Sequence, residues 1–542
     1  MKRVVNWLSL LFVSVGAMIG SGWMLGPLHA AKIAGAASIF SWIIGGFIVM
    51  VIALVFAELS AMLPVTGGIA RYTQFSHGGF VSFVMTWVTW VAYILIPPAE
   101  VQALLQYSAN YFPTLVTTIE TGSQVSTHLS SIGIIAAIIL LILMSYINIL
   151  GIRFATEFNK YLVYFKLFVP LLVAFILMNT SFHFENLQQI SQVNFSDNIK
   201  NIFKALPLAG IIFSYFGFRH SVELGGEAKN PQVALPLALL GSIAICMVIY
   251  TLVQTAFVAS MPPELLTNGW ENFSFKNYTG FQVNDSGPFV AIASILGLGL
   301  LVKIIFLDAL FSPFGSALMV VTTNARINYA MSVNGYFPKF FLKLNSKDAP
   351  YMAIAVNLFF GLFMLVPFPG WQEMVSLIIA ALVVSHAIAP ISLYTLRHQV
   401  PEQARPFKLP YYGLICRLVF LFLNFIAYWT GWHTLSTMFM ALLAGLMYLL
   451  VHRIIQGNKD KPLLNFNKSL WLWCYLGGLA VISYCGDVTF GGQGYIPFGY
   501  DLLVLFIFTL VIFQWSINEC LPNDLAELQI KRENEMRLAG NI

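Results

Sequence analysis

The stretch from Val4 to Leu28, VVNWLSLLFVSVGAMIGSGWMLGPL, decides the fold of this chain. It is long enough to cross a lipid bilayer, which takes about 20 apolar residues. Gly20, Ser21 and Gly22 interrupt it, and glycine weakens a helix by about 1 kcal/mol relative to alanine. A membrane tolerates the freed backbone groups only where they face protein or a cavity. The stretch therefore predicts a membrane helix with a deliberate break.

The composition of the whole chain agrees with a membrane location. Its 542 residues are 58% hydrophobic and 9% charged, whereas soluble domains carry about 25% charged residues. The five cysteines are scattered without metal-ligand spacing, so we predict no metal site from them. The net charge of +5 is not gathered on a soluble face, and we predict no nucleic-acid partner.

Apolar runs of about 18 residues or more are candidate spans. They predict about fourteen transmembrane helices, at 4–28, 37–63, 79–112, 131–150, 157–179, 202–226, 233–260, 287–324, 350–367, 373–396, 411–431, 434–455, 469–486 and 499–518. With the N-terminus inside, most Lys and Arg residues fall on inner connections, and Lys32, Lys200, Lys204 and Lys276 fall outside. This asymmetry obeys the positive-inside rule and predicts that both termini are cytoplasmic.

The sixth run contains a second break. It reads FSYFGFRHSVELGGEAKNP from Phe213 to Pro231, and we predict the interruption at Ser214 to Gly217. Small residues also let membrane helices pack closely, which is the alternative interpretation of either break. Two interrupted helices at matching positions of two halves, however, are typical of transporters with an inverted repeat.

Five segments in this order resemble the amino acid–polyamine–organocation (APC) superfamily of transporters. They are GAMIGSGW (16–23), FAELSAMLPVTGGIARY (56–72), GGEAKNP (225–231), NARINYAMSVNGYFPKFFLKL (324–344) and APISLYTLRHQVPEQARPFKLP (389–410). Within the superfamily, the chain is most similar to the bacterial aspartate–proton symporter type.

The resemblance implies an all-α integral membrane protein with a five-plus-five inverted-repeat core and discontinuous first and sixth helices. We expect this core at 1–410, two helices at 411–468, two additional helices at 469–520 and a cytoplasmic tail at 521–542. The two additional helices depart from the usual pattern of twelve.

The resemblance also implies a substrate site between the two breaks. The first-helix break would bind the α-carboxylate of an amino acid through free N–H groups, as helix starts do. The sixth-helix break would offer carbonyl groups to the ammonium. These roles fall on Ile19, Gly20, Ser21 and Gly22, and on Phe213, Ser214 and Phe216.

Arg219 is a charge in the middle of a span and therefore needs a partner. Arginine offers a fork of donors to a carboxylate, so we assign Arg219 to the side-chain carboxylate of an acidic substrate. The structural alternative is an ion pair with Glu223, one turn away, or with Asp308.

Lys166 resembles a lysine that proton-coupled and uncoupled members of the superfamily carry in the fifth helix, where sodium-coupled relatives hold a sodium ion. Burial disfavours the charged form of a lysine, so we assign Lys166 to proton coupling; the alternative is a side chain that snorkels to the inner surface. Asp308 is either a second proton site or a counter-ion of Arg219 or Lys166.

Other polar and aromatic residues receive weaker assignments. Trp23 and Phe218 are candidates for an aromatic gate over the substrate, with core packing as the alternative. His220 and His386 are candidates because an unperturbed histidine titrates near neutrality, although a membrane histidine is more commonly a packed hydrogen-bonding residue. Glu58 is expected to be structural or to take part in gating.

We therefore predict a secondary active transporter of the plasma membrane that takes up acidic amino acids with protons by alternating access. The alternatives are a carrier or exchanger of neutral amino acids, or a non-transporting sensor on the same fold. We predict no enzymatic activity and no cofactor, since the sequence has no catalytic motif and no loop large enough for a catalytic domain. The expected partners are an amino acid and the bilayer; the oligomeric state is left open.

Overall fold

A computed structural model describes residues 3–121, 124–192, 194–277, 285–368, 370–456 and 463–538. The helices of the first half are α1 (Trp7–Met18), α2 (Ser21–Ala34), α3 (Ser38–Met62), α4 (Gly68–His77), α5 (Gly79–Ser108), α6 (Ser131–Ile149), α7 (Ile152–Thr180), α8 (Phe184–Gln188), α9 (Phe195–Leu208), α10 (Ile211–Tyr215), α11 (His220–Glu223) and α12 (Pro231–Ser260). The remaining helices are α13 (Pro288–Ile295), α14 (Gly299–Val333), α15 (Tyr351–Met364), α16 (Trp371–His386), α17 (Ile388–Gln399), α18 (Tyr412–Trp429), α19 (Trp432–Gln456), α20 (Leu470–Cys485), α21 (Tyr500–Asn518) and α22 (Asn523–Leu538).

The protein is an all-α membrane protein with one small addition. Ten helical segments of the described chain are long and apolar enough to span a membrane, or eleven if α9 and the segment from α10 to α11 form one bent span. The count of fourteen stays a prediction. Outside the spans, β1 (Val116–Thr121) and β2 (Gln124–Leu129) form an antiparallel hairpin that the apolar runs did not predict.

The two predicted breaks are present, with shifted limits. The first is shorter than predicted, because only Ile19 and Gly20 separate α1 from α2. The second begins earlier than predicted: α9 ends at Leu208, and the two parts of the span meet at 56° around Gly210, whose φ is +76°. A 3-10 turn from Phe216 to Arg219 then replaces regular α-helix.

The span predicted at 287–324 is also different, because α13 and α14 are separate and α14 continues to Val333. Hydropathy identifies only the apolar part of a helix, whereas the buried polar part of α14 is held by packing. Buried Arg326, for example, donates from its Nε to Glu227 Oε1 at 3.0 Å.

The faces of α7 show how the spans divide between lipid and core. Tyr161, Phe168 and Phe175 are exposed and recur every seven residues, as expected for a side that faces lipid. Lys166 and Val173 lie on the opposite, fully buried side. A lysine on the buried face must find its partners inside the protein.

Within the segment expected to be a cytoplasmic tail, residues Asn523–Leu538 form the helix α22, which docks on the rest of the protein. The N–H of Leu521 donates to Ser76 O at 2.9 Å, and Gln399 Nε2 donates to Leu521 O at 2.6 Å. Further along α22, Glu533 forms a buried ion pair with Arg71 of α4. These contacts bind α22 to α4 and α17. The division of the chain into 1–410, 411–468, 469–520 and 521–542 stays a prediction.

Candidate functional site

The two breaks meet in the middle of the protein. Ser14 Oγ in α1 donates to Phe218 O in the 3-10 turn at 2.8 Å, and Ser221 Oγ in α11 donates to Leu10 O at the same distance. A Cβ built on Gly217 would lie 2.6 Å from Met18 N. The interrupted spans therefore touch backbone to backbone, and the predicted site residues of both come together.

The close approach of α1 and the 3-10 turn depends on the glycine at position 217, and a substitution of Gly217 tests this. We expect Gly217→Ala to force α1 and the 3-10 turn apart, since overpacking of a filled core costs about 1–3 kcal/mol. The melting temperature in detergent and the maximal uptake rate should both fall. Gly477→Ala in α20 is the matched control, because a Cβ there meets nothing within 4 Å. Equal behaviour of the two variants would contradict this close approach.

The residues at the first break are buried, and some of them already contact other parts of the protein. Ile19 and Ser21 are fully buried, and the Ser21 N–H donates to Glu100 Oε2 at 2.7 Å. Gly22 lies so close to Ser214 that a Cβ would collide with the serine hydroxyl. The N–H group of Ser21, which was predicted to bind the substrate carboxylate, thus binds the carboxylate of Glu100 in this structure.

Glu100 is the main candidate site residue that the sequence interpretation missed. It is buried in α5, and its Oε1 accepts a hydrogen bond from Ser316 Oγ of α14 at 3.1 Å. A Cβ on Gly20 would approach Glu100 Oε1 to 2.5 Å, so a larger residue there would displace the Glu100 carboxylate. An acidic residue inside an apolar run, just after Pro97-Pro98, was the signal that pointed to it.

Lys166 lies on the other side of the first break. Its Nζ is fully buried and donates to Gly16 O in the last turn of α1 at 2.7 Å. The lysine therefore points at the break, and it does not snorkel to the inner surface. Gly315 of α14 makes room for it, since a Cβ there would lie 3.0 Å from Nζ.

Among the described residues, Asp308 forms no ion pair with Arg219 or Lys166, the two cations considered as its partners. It accepts a hydrogen bond from Ser312 Oγ at 2.8 Å, and its Oδ2 has no hydrogen-bond partner in the described part of the chain. No ion pair within 4 Å joins it to Lys166 or Arg219 among the described residues. Its role stays open.

Arg219 is buried, and its hydrogen-bond partners are a histidine and a tyrosine. One nitrogen, Nη1, lies 2.9 Å from His386 Nδ1, and the other, Nη2, donates to the Tyr93 hydroxyl. Among the described residues, Arg219 forms no ion pair within 4 Å with Glu223 or Asp308, and Arg219 Nε has no hydrogen-bond partner. A buried guanidinium without a carboxylate is costly unless an anion joins it.

One helix connects Arg219 with the first break. Tyr93 and Glu100 are seven residues apart in α5, so they lie on the same face about 10 Å apart along the helix. Tyr93 holds Arg219, and Glu100 holds Ser21. A cavity of about 10 Å³ lies beside Tyr93, and it is also lined by Ala17, Phe213, Phe216 and His220 among others. The site is closed in this conformation.

The remaining predicted site residues form hydrogen bonds or aromatic contacts around the two breaks. Ser214 Oγ donates to Gly210 O at 2.8 Å, and Phe216 packs edge-on against His386. His220 Nδ1 lies 2.6 Å from Thr323 Oγ1. The two predicted gate residues sit in aromatic clusters: Trp23 lies against Phe289, and Phe218 lies against Phe56 and Phe216.

Glu58 lies away from the predicted substrate site and accepts several hydrogen bonds. Its two oxygens accept hydrogen bonds from Arg397 Nε at 2.8 Å and Arg397 Nη2 at 2.5 Å, and the N–H of Leu409 donates to it at 2.7 Å. This cluster joins the end of α3 to the end of α17. Among the described residues, no three His, Cys, Asp or Glu side chains gather into a potential metal site.

Comparison with known proteins identifies the class. The profile of the amino acid permease family matches residues 5–451, and the chain belongs to this family. It is 33% identical to the aspartate-proton symporter of Bacillus subtilis, over 96% of this chain and 97% of that protein. It is 32% identical to the glutamate/serine transporter AimA of the same species, over 95% of this chain and 94% of that protein.

A solved structure supports the same architecture at the level of the fold. The manganese transporter of Eremococcus coleocola superposes with a TM-score of 0.52 at 13% identity, covering 83% of this chain and 97% of that one. On the family match and the two relatives, the protein is a multi-pass amino-acid transporter of the APC superfamily and not an enzyme.

Proposed function

We propose that the protein takes up acidic amino acids, aspartate or glutamate, together with protons, by alternating access in the bacterial plasma membrane. In this proposal both termini are cytoplasmic, in keeping with the distribution of Lys and Arg along the chain. The observation that carries the choice of substrate is the buried Arg219, whose side chain contacts Tyr93 and His386 and forms no ion pair within 4 Å with a carboxylate of the described residues.

The substrate would engage both ends of the site. Its α-carboxylate would use the start of α2 at Ser21 and Gly22, and its ammonium would use carbonyl groups around Phe213, Ser214 and Phe216. The side-chain carboxylate would complete the partners of Arg219. A polyamine would meet the like charge of Arg219, which disfavours that class of substrate.

Proton coupling is proposed for the groups on both sides of the first break. Glu100 accepts the Ser21 N–H, and Lys166 donates to Gly16 O. An ionised carboxylate only accepts hydrogen bonds, whereas a protonated one also donates. Protonation of Glu100 would weaken its hold on Ser21 and release that N–H for the substrate carboxylate. Lys166 and Asp308 are the other two groups proposed to take up a proton, each at its own position.

Uptake of a neutral amino acid is the second candidate. It is favoured by the similarity to a protein named for both glutamate and serine, since the α-carboxylate and ammonium groups of any amino acid would fit the two breaks.

A liposome assay separates these functions. Purified protein is reconstituted and offered labelled aspartate, glutamate, serine, leucine and putrescine, with and without an inward proton gradient. We expect saturable uptake of aspartate or glutamate, counterflow, and stimulation by the gradient. Uptake of serine or leucine alone would refute the acidic specificity, and indifference to the gradient would refute the coupling. Absence of counterflow would favour a sensor.

A further inference from the structure

Trp371 lies between the two broken spans. It is the first residue of α16 and is buried. Its neighbours belong to α2 on one side and to the segment from Gly210 to Phe213 on the other, so a single indole contacts both interrupted helices. No role was assigned to it from the sequence.

The contact with the first span includes a hydrogen bond. Trp371 Nε1–H donates to Ser21 Oγ at 2.8 Å, and an indole nitrogen can only donate. The indole also stacks on the His29 ring, with centroids 5.7 Å apart and planes 15° apart. Ser21 is therefore bound at its backbone by Glu100 and at its side chain by Trp371.

The contact with the second span is one of shape. The backbone at Gly210 lies directly against the indole, because a Cβ there would stand 3.0 Å from Trp371 Cη2. The ring of Phe213 meets the indole edge-on, with centroids 6.5 Å apart. Val375, one turn further into the membrane on α16, is buried and also borders Gly210.

We propose that Trp371 is the outer gate residue of the transporter. The indole fills the gap between the halves, and its hydrogen bond to Ser21 holds α16 against α2 in the closed state. Opening to the outside then requires the start of α16 to move away and this bond to break. An arriving substrate carboxylate competes for the same serine, which links occupation of the site to the gate. The inference rests on the proposed orientation of the chain.

The test measures how accessible Val375 is from outside. Cys474, Cys485 and Cys520 are replaced by serine, the fully buried Cys246 and Cys416 are kept, and Val375→Cys is introduced. Intact cells are treated with a membrane-impermeant thiol reagent. We expect slow labelling that Trp371→Phe accelerates about three- to tenfold, since one hydrogen bond of the closed state is lost. Ser21→Ala should accelerate it equally, and the double variant should add nothing further.

Trp429→Phe is the matched control, because Trp429 is a buried tryptophan whose Nε1 has no hydrogen-bond partner in the described part of the chain. It should leave labelling unchanged. The proposal fails if Trp371→Phe does not accelerate labelling, if the effects of Trp371→Phe and Ser21→Ala add, or if Cys at 375 reacts only in opened cells. Labelling requires neither a known substrate nor a proton gradient, so its outcome is independent of the acidic specificity and the coupling.

Discussion

Uptake of aspartate or glutamate by the Arg219→Gln variant is expected to be at least about 30-fold weaker in affinity than in the native protein. Removing one member of a buried, hydrogen-bonded charge pair costs about 2–5 kcal/mol, and each 1.4 kcal/mol is a factor of ten. The Michaelis constant for aspartate in proteoliposomes measures the loss. Arg219→Lys should also fall short, since an ammonium cannot replace the two-pronged guanidinium contact.

A second substrate and a control variant show whether the loss of affinity is specific to the side-chain carboxylate and to Arg219. Serine uptake, if the native protein supports it, should survive in Arg219→Gln, because serine has no second carboxylate. Arg417→Gln is the control arginine: Arg417 stacks on Tyr394 and Phe513, apart from the predicted site. A properly inserted Arg219→Gln protein with an unchanged Michaelis constant for aspartate would show that Arg219 serves the structure alone.

The second large effect is expected at Lys166 and Glu100. Lys166→Ala and Glu100→Gln should abolish accumulation driven by a proton gradient while counterflow continues. One pH unit corresponds to about 1.4 kcal/mol per proton, or roughly tenfold accumulation, and this factor should fall to one. Glu100→Gln is informative because its amide oxygen can still accept the Ser21 N–H without taking up a proton.

The comparison is between uptake at equal pH and uptake with an inward gradient of one unit. Lys303→Ala is the matched control, since Lys303 lies on the neighbouring helix α14 and its side chain is exposed. Native-like accumulation by Lys166→Ala would exclude the lysine from coupling, and the same result for Glu100→Gln would exclude the glutamate.

Local features of the sequence predicted the breaks well, and distant contacts limited the prediction of the site. Gly20 and Gly217 identified both broken spans because each lies beside other polar or small residues in the middle of an apolar run, whereas the glycine pairs Gly45-Gly46 and Gly477-Gly478 lie inside the continuous helices α3 and α20. The partners of Arg219, by contrast, come from α5 and α16, which are far away in the chain. Glu100 carried a readable signal as a charge within an apolar run. Trp371 carried none, because an aromatic residue at the start of a span is also typical of a membrane interface.

The docked C-terminal helix sets an order of events during synthesis. Arg71 and Glu533 are separated by 462 residues in the chain, which a ribosome translates at about 5–20 residues per second, that is, in roughly half a minute to a minute and a half. Until then Arg71 lacks the partner that its buried position requires. The newly made transporter therefore has all its spans in the membrane before α22 is synthesised. Until then, the surface around Arg71 is not covered. Proteins cut short by premature termination would carry that open surface permanently and would offer it to the cell's quality-control proteases.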